Sequence, residues 1–150
     1  MSSQRSAVAV AVYGVLVDGG RLLLMRRAGS GYRDGQLSLP AGHLDGGEDA
    51  VSGMIRELRE ELDIVADPAS CKLALTMHRA PEGAGDREYV DLFFLVERWR
   101  GVPTIAEPHK CEELIWVDRH QLPWDVVDYV AAALRSIDAR QPMALHGWRP

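Results

Sequence analysis

Cysteine is scarce in this chain of 150 residues: Cys71 and Cys111 are the only two. They form no CxxC pair, which leaves no cysteine-based zinc site and no disulfide framework to expect. Long hydrophobic runs are missing as well. The most apolar stretch, AVAVAVYGVLV, is interrupted by Tyr13 and Gly14 and is too short for a membrane-spanning helix. The opening MSSQRS is polar and lacks the hydrophobic region and cleavage site of a signal peptide. With two free thiols, a reducing cytoplasm is the expected location. Blocks of Lys and Arg are absent too, and the net charge is -5. Gripping duplex nucleic acid needs clustered cations, so that role is excluded, although a few arginines and a metal could still hold a nucleotide. No GxxxxGK[ST] phosphate loop occurs, and there is no internal repeat, low-complexity tract or linker.

What is present is an ordinary globular composition, 47% hydrophobic and 26% charged. AVAVAVYGVLVDGGRLLLMRR has the form of a β-hairpin, with DGG supplying the positive-φ turn residues. A Gly-rich loop follows, with a short extended piece at QLSLP. Ala50, Met54, Leu58 and Leu62 recur every four residues and predict a helix beginning after Gly47. CKLALTMHRA, EYVDLFFLVERW and ELIWV are expected strands, and VVDYVAAALRSI a second helix with an apolar stripe. The tail QPMALHGWRP shows no period and is left unassigned. A single α+β domain is expected over residues 1–150.

The first helix carries RELREEL, with Glu57, Glu60 and Glu61 inside two turns, and like charges at this spacing repel. At about 100° per residue, Glu60 sits roughly 60° to one side of Glu57 and Glu61 roughly 40° to the other. Three carboxylates within one arc form a hard oxygen-ligand site suited to Mg²⁺ or Mn²⁺, and a divalent cation would offset the repulsion. The plainer reading is a solvated acidic face with Arg56 and Arg59 as ion-pair partners.

The spacing over 23 residues separates the two readings. Gly42, Glu48, Arg56-Glu57-Leu58, Glu60-Glu61-Leu62 and Ile64 fall at the intervals of the Nudix box, and GHLDGGEDAVSGMIRELREELDI resembles it at every polar position except the late glycine, where Asp63 stands. The hairpin before the box, the strands after it and the C-terminal helix extend the resemblance over about residues 6–138. FFLVERW is similar to the MutT-like members.

The resemblance implies an α/β/α sandwich, with a mixed central sheet, the catalytic helix on one side and the C-terminal helix on the other. It implies Mg²⁺ or Mn²⁺ held by Glu57, Glu60, Glu61 and the carbonyl of Ala41. Gly42, Glu48 and Arg56 would support the site, with Glu48 as the partner of Arg56. Phosphoryl transfer needs charge neutralisation and in-line positioning more than covalent help, and then a carboxylate to accept a proton. Glu60, Glu61 and Glu107 are the candidates. Arg27 matches a phosphate-contacting position, with Arg26 facing the other way. Asp125 falls where some relatives contact the base, although capping the helix that follows would explain it equally well. Phe94 and Trp99 could stack on a base or simply fill the core.

The function so implied is a Mg²⁺-dependent pyrophosphohydrolase. Its expected substrate is a nucleoside triphosphate, normal or oxidised, cleaved to monophosphate and pyrophosphate. ADP-ribose or a dinucleoside pyrophosphate is the alternative substrate, with a capped or triphosphorylated RNA end behind it. A Nudix-fold sensor that binds nucleotide without cleaving it is the alternative from another class. The expected partner is a small nucleotide, with neither duplex nucleic acid nor membrane; homodimers are common in the family.

Overall fold

The computed structural model describes residues 5–150, and among them are two α-helices and ten strands. In chain order these are β1 (Ala9–Asp18), β2 (Arg21–Arg27), β3 (Leu37–Ser38), β4 (Ala41–His43), α1 (Ala50–Leu62), β5 (Val65–Ala66), β6 (Cys71–Arg79), β7 (Tyr89–Val96), β8 (Trp99–Arg100), β9 (Cys111–Asp118), α2 (Asp128–Asp138) and β10 (Met143–His146). A single 3₁₀ turn, Pro68–Ser70, precedes β6.

The expected hairpin forms, with Gly19 and Gly20 at positive φ in its turn. Its strands part quickly, since only Val17–Leu22 and Asp18–Arg21 are paired. Beyond that point β1 runs parallel to β7 and takes β4 on its other edge, while β2 pairs with β9 and β3. The resulting mixed sheet has the order β10-β6-β7-β1-β2-β3, with β4 beside β1 and β9 beside β2. A divergence at the root of a hairpin leaves space between its two arms, and a cavity lies there.

Alternation along β1 divides the interior. Ala11, Tyr13 and Val15 join Val130, Ala133 and Leu134 of α2 in one core. Val12 and Leu16 join Met54, Leu58 and Leu62 of α1 in the other. Opposite faces of a strand thus each bury against their own helix, giving the three-layer α/β/α arrangement. Close approach is part of it: a methyl group on Gly14 would press on Leu58 and Met54 at 3.2 and 3.3 Å.

The caps of α1 are local chemistry. Asp49 accepts hydrogen bonds from the Ser52 backbone N–H and hydroxyl at 2.9 and 2.7 Å. Asp63 closes the helix at φ 53°, ψ 40°, the left-handed conformation for which glycine is the usual choice. Asp63→Gly is expected to stabilise the protein by roughly 0.5–1 kcal/mol and Asp63→Val to destabilise it by about 1–2 kcal/mol. Urea denaturation at neutral pH measures both. The exposed Arg59–Asp63 pair at 3.4 Å contributes little against this.

Where the sequence left the tail unassigned, β10 adds to the edge of the sheet, parallel to β6. The strand expected at ELIWV is longer, running through Cys111–Asp118. None of the helices among the described residues is long and apolar enough to cross a membrane.

Candidate active site

A cavity of about 620 Å³ opens between the arms of the split sheet. One wall is acidic. Glu57 and Glu61 reach it from α1, and Glu107 from the loop before β9. The loop is held there by the end of α1, where the Thr104 N–H donates to the Leu62 carbonyl and the Ala106 N–H to that of Glu61, both at 3.0 Å. This satisfies the last orphan carbonyls of the helix and carries Glu107 to the cavity. Lys110 lies 3.5 Å from Glu107.

Gly42 explains how α1 and β4 come so close. A side chain at this position would overlap the Glu57 carboxylate where it now stands. On the next residue back, the Ala41 N–H donates to Glu61 Oε2 at 3.2 Å, and Ala41 has no positive φ. Arg56 organises the helix carboxylates. Its Nε and Nη2 hold Glu48 at 2.7–3.2 Å, and its Nη1 donates to Glu57 at 2.8 Å and Glu60 at 3.2 Å. The pairing with Glu48 is the one expected from the sequence.

Glu60 differs from its two neighbours. It is half exposed, turned to Arg56, and is not among the cavity-lining residues. Among the described residues no three His, Cys, Asp or Glu side chains already converge on one point. Helical angle alone had grouped three carboxylates. In the structure Glu57, Glu61 and Glu107 line the cavity, while Glu60 is engaged by Arg56.

Electrostatics in the acidic wall favours protons. Burial, then the charges of Glu57 and Glu107, push Glu61 from its ordinary 4.5 up to about 8, opposed in part by the Ala41 N–H and Lys110. Burial also raises Glu57, against the pull of Arg56. Because the folded state holds the Glu61 proton more tightly, stability should fall as pH rises from about 4.5 to 8. The slope from this one group is at most about 1.4 kcal/mol per pH unit. Melting curves in chelator at pH 5 and pH 8 measure it, and Glu61→Gln should flatten the difference.

The other predicted residues separate cleanly. Arg27 lines the cavity, its Nε bound to the Tyr32 carbonyl at 2.9 Å and its guanidinium 5.3 Å from the Tyr32 ring centre. Arg26 does face away, to Glu113 and Asp125. Asp125 is not among the cavity-lining residues. Its carboxylate accepts from Arg26 at 2.8 Å, which holds it below the usual carboxylate range. Nor does it cap α2, whose N-cap is Val127 with no side-chain bond. Phe94 is buried in the α1-side core, and Trp99 stacks with Trp116 at 6.3 Å.

The far wall was not anticipated. Arg79, Tyr89, Tyr129 and Tyr13 line it, with His43 stacked on Tyr89 at 5.6 Å. Arg79 is 4% exposed and donates from Nε to Asp91, itself fully buried, at 2.7 Å. One sequence signal was available: Asp91 is a charge set between apolar residues in YVDLFF, at a buried phase of the strand.

Carboxylates and cations on one side of a nucleotide-sized cavity, mounted on this box helix, belong to a known class. The NUDIX domain model matches residues 5–139, and the chain belongs to that family, whose members are pyrophosphohydrolases acting on phosphoric anhydride bonds. It is 31% identical over 104 residues to the 8-oxo-dGTP diphosphatase of Escherichia coli (strain K12), a match spanning 68% of this chain and 77% of that one. Among solved structures it is similar to a MutT NUDIX hydrolase from Burkholderia pseudomallei, at a TM-score of 0.77 and 27% identity over 87% of this chain and 98% of the other. A NUDIX hydrolase from Nitrosomonas europaea shares the fold at a TM-score of 0.73 and 21% identity, over 96% and 82%.

Proposed function

We propose that this Nudix hydrolase is a Mg²⁺-dependent pyrophosphohydrolase of nucleoside triphosphates, with a normal or oxidised base, releasing monophosphate and pyrophosphate. The observation that carries the proposal is the acidic wall, where Glu57, Glu61 and Glu107 face one cavity beside Arg27 and Lys110. The donor set fits Mg²⁺ or Mn²⁺: hard carboxylate oxygens and the Ala41 carbonyl, with no imidazole among the proposed ligands. Glu57, Glu60, Glu61 and Ala41 would hold the ion, Glu60 after swinging from Arg56. An ion bound there would neutralise phosphate charge and lower the pKa of a bound water.

The chain's own residues do the rest. Arg27 offers a guanidinium edge to phosphate oxygens. Arg56, anchored on Glu48, keeps the helix carboxylates in position, and Gly42 keeps the box loop close to them. Glu60, Glu61 and Glu107 are the candidates to accept the proton. The relative that acts on 8-oxo-dGTP supports a triphosphate substrate. The two free, buried thiols suit a reducing cytoplasm.

A panel of normal and 8-oxo triphosphates, ADP-ribose and dinucleoside polyphosphates, incubated with protein and Mg²⁺ and resolved by chromatography, tests this. Monophosphate plus pyrophosphate from a triphosphate is expected. Turnover of ADP-ribose alone would move the protein to the dinucleoside-type substrates. Binding without turnover of any member would make it a sensor.

A further inference from the structure

Arg79 is a cation deep in the far wall whose hydrogen-bonding capacity is only partly used. Nε and Nη2 donate to Asp91 at 2.7 and 3.4 Å, and no acceptor among the described residues engages Nη1. Among the described residues no polar side-chain atom is both buried and unsatisfied, so Nη1 is open to the cavity that Arg79 lines. The guanidinium carbon lies 4.3 Å from the ring centre of Tyr89 and 4.0 Å from that of Tyr129. Aromatic surface and Asp91 thus cover most of this cation, and the Nη1 N–H groups are left facing the cavity. Such an arrangement is rigid, and it leaves the donor edge bare where nothing in the protein fills it.

Two considerations say what fills it. The buried Asp91 carboxylate neutralises Arg79, so the pair has little net attraction for a phosphate and selects a neutral acceptor. Position agrees: β6 and β4 are separated by β7 and β1, three strand spacings or about 14 Å. A ligand with its phosphates at the acidic wall would therefore bring its far end, the base, to Arg79. An N–H donor there matches the O6 acceptor of a 6-carbonyl purine, whereas adenine would present its 6-amino group donor to donor.

We infer that Arg79 is a specificity-determining residue that donates to the 6-carbonyl oxygen of a guanine-type base, with Asp91 as its positioning residue. The inference rests on the nucleotide reading of the cavity given above, and binding tests it separately from hydrolysis. Isothermal titration of the intact protein with Mg²⁺ and four monophosphates, those of guanosine, inosine, adenosine and 2-aminopurine riboside, is the experiment. The first two are expected to bind at least about tenfold more tightly, a difference of 1.4 kcal/mol. In Arg79→Lys, which keeps the charge beside Asp91 and loses the fork, the four should agree within about threefold. Equal affinities in the unaltered protein would overturn the inference, and so would discrimination that survives in a folded Arg79→Lys protein. The comparison in the unaltered protein decides the matter even if that variant does not fold. If the expected order appears while no triphosphate is turned over, the hydrolytic reading fails and the role of Arg79 stands.

Discussion

Glu61→Gln should lose at least ~10³-fold in kcat, about 4 kcal/mol of transition-state stabilisation, and remain folded. Gln matches Glu in size, and its carbonyl oxygen can still accept the 3.2 Å hydrogen bond from the Ala41 N–H. What disappears is the negative charge that the proposed function uses as a hard ligand and as a proton acceptor. Because Glu57 and Glu107 oppose that charge in the metal-free protein, the variant should also melt at a higher temperature than the unaltered protein in chelator at pH 8. A drop in both activity and melting temperature would instead indicate that the residue is structural. Steady-state turnover and paired melting curves distinguish the outcomes.

Gly42→Ala carries the second large effect, and it acts through sterics. The added methyl overlaps the end of the Glu57 side chain. That carboxylate must move, and with it the contact to Arg56. The backbone is no obstacle, since Gly42 is not among the residues with positive φ. Folding should change by less than about 1 kcal/mol, while kcat/KM should fall by roughly 10²-fold, the scale of a misplacement near 1 Å. Activity unchanged within a factor of three would mean that Glu57 need not stand where it does.

The fold was legible because its strongest signals are periodic. The DGG turn, the four-residue recurrence from Ala50 to Leu62 and the stripe of α2 each mark an element that forms. In the tail, four residues of strand carry too little pattern, and only the edge of β6 makes MALH extended. The box likewise gave the spacing of Glu57 and Glu61 but could not give the rotamer of Glu60, which Arg56 draws to the surface. Arg79 was least visible. Its meaning depends on Asp91, Tyr89 and Tyr129, and the third of these comes from a helix fifty residues away in the chain. Asp125 illustrates the opposite case: its position suggested a ligand or a cap, and Arg26 engages it instead.

The strand β10 lies past residue 139, where the match to the family model ends. It pairs with Thr76–Arg79 on β6, and Trp148 fastens the chain beyond it by donating to the His78 carbonyl at 3.0 Å. Those residues cover this stretch of β6 and move the open edge of the sheet outward to β10. Without them the end of β6 would present bare backbone donors and acceptors, a template for any extended chain nearby. Shortening the protein to its family boundary would leave the chemistry of the box helix in place and create a surface prone to aggregate.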